Sequence, residues 1–73
     1  MKPEEINNYI SLEAGIRFGK PTLRGTRITV EDVLEMLANM SRAEIAEAFP
    51  KITDVQIQAC LLFAARRERL IAA

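Results

Sequence analysis

The sequence predicts a mainly α domain of three helices preceded by a short β element. Three observations lead there. Helix-start signals recur from residue 29 onward, at Thr29, Ser41 and Thr53. Apolar residues follow each start at helical spacing. Before residue 29 the chain is polar, short-period and broken by Gly15, Gly19, Gly25, Pro3 and Pro21.

The N-terminal segment, 1–29, reads as strand and turn. Pro3 with Glu4 and Glu5 opens a single helical turn, because Pro suits a first helical position and acids suit the N-terminal dipole. Tyr9-Ile10-Ser11-Leu12 is a short strand, and Ala14-Gly15 turns the chain. Thr22-Leu23 and Thr26-Arg27-Ile28 flank Arg24-Gly25 as a small hairpin, with glycine supplying a positive φ.

The helical segment, 30–70, divides into helices over roughly 30–39, 42–49 and 54–70. Thr29 caps the first ahead of Glu31 and Asp32. Ser41 with Glu44, and Thr53 with Gln56, are capping boxes, which satisfy backbone N–H groups that a first helical turn leaves unpaired. Asn39 is expected to end the first helix in the left-handed conformation, and Pro50 ends the second. Val30, Val33, Leu34 and Leu37 line one helix, and Ile45, Ala46 and Phe49 the next. The third is apolar almost all round from Val55 to Ala65, wider than the stripe of a surface helix.

A chain of 73 residues is one domain, 1–73, with a marginal core. One cysteine excludes an internal disulfide, and with no histidine the usual zinc sites are excluded too. Oligomerisation is the remaining source of extra stability. The surplus face of the third helix, at Ile57, Leu61 and Ala64, is therefore assigned to a homodimer or partner interface; cover by the N-terminal strands is the alternative. No run is long enough to span a membrane. The polar, acidic N-terminus is not a signal peptide, and with one unpaired cysteine this points to the cytoplasm.

Catalytic chemistry is hard to assemble from this composition. Cys60 lies among Leu61, Leu62 and Phe63, the setting of an inert core thiol. Glu31, Asp32 and Glu35 are explained by a helix N-terminus better than by a cation site. The glycine spacing matches neither phosphate-loop fingerprint. The sequence thus predicts no enzyme, no metal and no cofactor.

What remains is charge. Net charge is zero, yet residues 14–30 carry Arg17, Lys20, Arg24 and Arg27 and no acid. Such a turn suits a nucleic-acid phosphate, an acidic protein partner, or internal pairing with Glu31, Asp32 and Glu35. The second and third helices have the size of a helix-turn-helix, whose second member reads the major groove from its N-terminal part. Gln56 and Gln58 are then the candidate base readers, with Asp54 unfavourable next to phosphate. Arg66-Arg67-Glu68-Arg69 adds a second basic cluster, read first as offsetting a helix C-terminus.

The run Gly15 to Ile28, containing GKPTLRGTRI, resembles the signature "GKP.IRGTRI" of the domain-of-unknown-function 433 family. Val33-Leu34-Glu35-Met36-Leu37, Ser41-Arg42-Ala43-Glu44-Ile45, Phe49-Pro50 and Asp54 through Ala65 follow in that family's order. The signature positions here are Gly19, Lys20, Pro21, Arg24, Gly25, Thr26 and Arg27. The resemblance implies a small helix-turn-helix protein of antitoxin type. Such antitoxins dimerise, bind their own operator DNA and neutralise a toxin resembling a PIN-type ribonuclease through a C-terminal segment. Two departures stand out. Ala38-Asn39-Met40-Ser41 is one residue shorter than the family's "A.GMS" pattern, with Asn39 in the glycine's role. The tail after the third helix is also short. The expected function is a DNA-binding, antitoxin-like regulator. The alternative is an interaction module that docks a ribonuclease-like toxin or other acidic partner without DNA.

Overall fold

The computed structural model describes residues 1–72, with side chains through Arg67. A 3-10 helix over Pro3–Asn8 opens the chain, with Pro3 at its start and Glu4 and Glu5 in its first turn. Strand β1 (Ile10–Ser11) pairs antiparallel with β2 (Thr22–Leu23), Ile10 opposite Leu23 and Ser11 opposite Thr22. Helices α1 (Val30–Asn39), α2 (Arg42–Ala48) and α3 (Asp54–Ala72) follow. The chain is therefore mainly helical with a short N-terminal β element. No helix is long and apolar enough to cross a membrane among the described residues.

The hairpin closes where Gly and Thr make it possible. Leu23 N–H donates to the Ile28 carbonyl at 2.8 Å, and Thr26 N–H to the Leu23 carbonyl at 3.0 Å. Gly25 takes φ +80°, a region glycine enters without a Cβ clash. Thr26 Oγ1 donates to the Leu23 carbonyl at 2.8 Å and accepts from Ile28 N–H at 3.0 Å. Val30 N–H donates to the Pro21 carbonyl at 2.9 Å, tying the start of α1 to the strand.

All three helices begin at the expected caps. Thr29 Oγ1 accepts from Asp32 N–H at 2.9 Å, and the Asp32 carboxylate accepts from Thr29 N–H at 3.0 Å. Ser41 and Glu44 make the same reciprocal pair, as do Thr53 and Gln56. The end of α1 differs from the expectation. Asn39 is not left-handed: among the described residues the only non-glycine residues at positive φ are Arg17 and Phe18. Met40 instead leaves the helix extended, with φ −137° and ψ 147°, and its N–H bonds the Met36 carbonyl. Asn39 Nδ2 donates to the Glu35 carbonyl at 2.9 Å, satisfying one of the helix's terminal acceptors by its side chain.

The core joins Ile6, Ile10 and Leu23 from the N-terminal half to Val30, Val33, Ile45, Ile52, Ile57, Ala59 and Cys60. Of the residues assigned to the buried face of α2, only Ile45 is in the core; Phe49 is 42% exposed and Ala46 is exposed. Ile45 is the buried residue of this short helix, and the rest of its side chains keep much of their surface in water. The N-terminal segment does cover part of α3: Arg66 Nη1 donates to the Pro3 carbonyl at 3.3 Å, and Ile6 joins the core. Val55 and Leu61 keep 38% and 40% of their surface exposed, so the cover is incomplete.

Candidate functional site

The four cations of the basic segment do not converge on one point. Arg17 Nη1 donates to the Arg27 carbonyl at 3.0 Å and to Asp32 Oδ2 at 3.4 Å. Lys20 Nζ reaches Glu31 Oε2 at 3.5 Å. Both ion pairs are long and substantially exposed, so each contributes little to stability and can be exchanged for an external anion. Arg24 is different. Its Nη2 donates to the Asn7 carbonyl at 2.7 Å and the Ile10 carbonyl at 3.2 Å, and its backbone N–H donates to the Tyr9 carbonyl at 2.7 Å. Arg24 thus clamps the end of the 3-10 helix and β1 to the hairpin. The Arg27 side chain is exposed and makes no hydrogen bond or ion pair among the described residues.

Two of the three acids beside this segment, Asp32 and Glu31, are paired. Hydrogen bonding from Thr29 N–H is the main cause that holds the Asp32 carboxyl below its usual range, with Arg17 adding attraction and burial opposing. Glu31 is held by Lys20. No group of three His, Cys, Asp or Glu side chains able to hold a metal occurs among the described residues. Cys60 is fully buried, and burial pushes its thiol up to about 11, which keeps it protonated.

On the helical pair, α2 and α3 are joined by residues 49–53 and locked by an ion pair. Arg42 Nε donates to Asp54 Oδ1 at 2.7 Å and Arg42 Nη2 to the Asp54 carbonyl at 3.2 Å. The acid that would oppose phosphate at the start of α3 therefore carries its own counter-charge. Gln56 is half-buried and its Oε1 accepts from Thr53 N–H at 2.8 Å, so it serves the cap. Gln58 is exposed and points outward between Val55 and Leu61. Of the residues assigned to an outer interface, Ile57 is 1% exposed and belongs to the core. A helix apolar on all sides gives no sign of which face is turned inward. Leu61 and Ala64 keep accessible surface.

One concave surface brings the basic segment and α3 together. A groove of about 640 Å³ is bounded by Leu12, Phe18, Lys20 and Pro21 on one side and Phe63, Arg66 and Arg67 on the other. It lies against the middle of α3, away from Gln56 and Gln58, which do not line it. Arg66 and Arg67 stand on the flank of α3 (Asp54–Ala72). Arg69 lies outside the described side chains.

Phe18 is the residue the sequence reading missed. It is 98% exposed, at φ +60°, directly after Arg17 at φ +49° and before Gly19 at φ +79°. Consecutive left-handed residues with side chains cost roughly 1–2 kcal/mol each. The available signal was an aromatic in a glycine-bounded segment with no period-2 or helical pattern to carry it inward.

This geometry defines a class: a small helical domain built on three capped helices, with a structured basic hairpin packed against them. Residues 10–64 match the profile of the family described as "Protein of unknown function (DUF433)". The match spans most of the chain, which belongs to that family. No curated protein and no solved structure matches it. Much of the signature has a structural reason here: Gly19 and Gly25 hold positive φ, Pro21 and Thr26 place hydrogen bonds, and Arg24 clamps the N-terminal segment.

Proposed function

We propose that the protein is a non-catalytic, antitoxin-like regulator that works in the cytoplasm and binds operator DNA as a dimer. The observation that carries this reading is the α2–turn–α3 unit. Each helix starts on a side-chain cap, Arg42 neutralises Asp54, and Gln58 projects from the exposed early part of α3. In a helix-turn-helix that part enters the major groove, where a Gln amide can pair with adenine. Arg27, exposed and without a partner among the described residues, is the first candidate for phosphate; Arg17 and Lys20 can join by leaving their long ion pairs. Leu61 supplies apolar surface for the second copy.

A second reading is an interaction module that docks an acidic partner, such as a ribonuclease-like toxin, without touching DNA. It is favoured by the exposed Glu44 and Glu47 on α2, which oppose a phosphate backbone, and by the internal work of Arg24.

The test is fluorescence anisotropy with a duplex from the gene's own promoter and a scrambled duplex, across a salt series. The DNA reading requires promoter-selective binding that weakens steeply with salt. Arg27→Ala should lower the salt slope by about 1, and Gln58→Ala should change base preference. Absence of binding at low salt rejects the DNA reading and leaves the docking one.

A further inference from the structure

We infer that the groove between the Arg17–Gly19 turn and the middle of α3 docks an acidic protein segment carrying a large apolar anchor. The inference does not depend on DNA binding, because the groove is not lined by Gln56 or Gln58.

Its shape and chemistry come from separate parts of the chain. Phe18 and Leu12 rise on one wall, 98% and 64% exposed, and Phe63 forms the other. Beside them Pro21, Leu34 and Ala64 line an adjoining hollow of about 260 Å³ that shares Phe63 with the groove. An aromatic held almost wholly in water, on two successive left-handed residues, gains nothing from the fold of its own chain. Residues held in such conformations cluster at ligand clamps and active sites.

The charge of the rim selects the occupant. Lys20, Arg66 and Arg67 line the groove, and Glu31, the one acid among its described lining residues, pairs with Lys20 at 3.5 Å. Arg66 spends one donor on the Pro3 carbonyl and meets no acid among the described side chains. An excess of positive charge beside aromatic and aliphatic surface suits a segment with Asp or Glu flanking a Leu, Phe or Trp. Two-fold pairing with a second copy would instead bring two identical basic rims together, and like charges at an interface oppose association.

The experiment is selection from a random twelve-residue peptide display library against the full chain. Selected peptides are then synthesised with a fluorophore and titrated by anisotropy. Expected are sequences with an excess of Asp and Glu around one or two large apolar residues. They should bind at least ten-fold more weakly to Phe18→Asn and to the double variant Arg66→Glu/Arg67→Glu. Asn tolerates the left-handed backbone, so Phe18→Asn should melt no lower than the parent, which separates docking from folding. No enrichment, enrichment of neutral or basic sequences, or binding indifferent to Phe18 overturns the inference. So does tighter binding of a fluorescent oligothymidine that is lost in the same double variant, since the rim is then a nucleic-acid surface. Dissociation of a dimer by Phe18→Asn, with peptides failing to compete, assigns the groove to a second copy and also overturns it.

Discussion

Replacing Arg24 by alanine should destabilise the fold before it affects any ligand. The guanidinium bonds the carbonyls of Asn7 and Ile10 at 2.7 and 3.2 Å, one in an exposed and one in a part-buried setting. Hydrogen bonds from a charged donor contribute about 1.5–3 kcal/mol when sheltered. With water able to replace part of each, about 1 kcal/mol per bond is reasonable here, or about 2 kcal/mol in total. For a domain of this size, total stability is roughly 4–11 kcal/mol, and each kcal/mol moves Tm by about 4–8 °C. Arg24→Ala should therefore lower Tm by roughly 8–16 °C in thermal melts followed by far-ultraviolet circular dichroism. Arg24→Lys keeps the charge, but its ammonium ends one bond short of the place of Nη2, the single nitrogen that bonds both carbonyls, so about half the loss should remain. A change in Tm below about 2 °C for Arg24→Ala would refute the clamp. The pair of variants also separates roles: if Arg24 serves phosphate, Arg24→Lys keeps ligand affinity while losing stability.

Three further outcomes are expected. Asp32 and Glu44 accept backbone N–H bonds in the folded state that hold both carboxyls below their unfolded values. Their contribution is present above about pH 5 and is lost as pH falls through the lowered folded values, so Tm should fall on that acid side, and Asp32→Asn/Glu44→Gln should flatten the fall. Cys60, buried and with its thiol raised to about 11, should resist a disulfide reagent in the native protein and react at once in denaturant; rapid native labelling would contradict its burial. Ile45 is the one core residue of α2, so Ile45→Ala should cost about 2–5 kcal/mol, with α2 amides losing exchange protection first in hydrogen-exchange measurements.

The helical half was legible because its signals are local. A Thr or Ser followed three residues later by Asp, Glu or Gln satisfies its own helix start wherever the helix is placed. The caps at Thr29, Ser41 and Thr53 all form as read. The Arg24-Gly25 turn was legible for the same reason. Asn39 misled because its side chain can satisfy a helix end in two ways, and here it bonds the Glu35 carbonyl instead of turning left-handed. The inward face of α3 could not be read from a helix apolar on every side. Packing of α1 and the N-terminal 3-10 helix against α3 goes with Ile57 in the core and Leu61 outside.

By itself the sequence determined where each helix begins, the class of fold, and the concentration of positive charge between residues 14 and 30. Those properties depend on neighbours within a turn or two along the chain. Only the tertiary structure decided how that charge is spent: Arg24 on backbone carbonyls, Arg17 and Lys20 on weak exposed pairs, and Lys20 with Arg66 and Arg67 around one groove. The partners of a long cation lie ten or more residues away in sequence. Which of them it meets depends on how the hairpin docks on α1 and α3, and no local spacing encodes that choice.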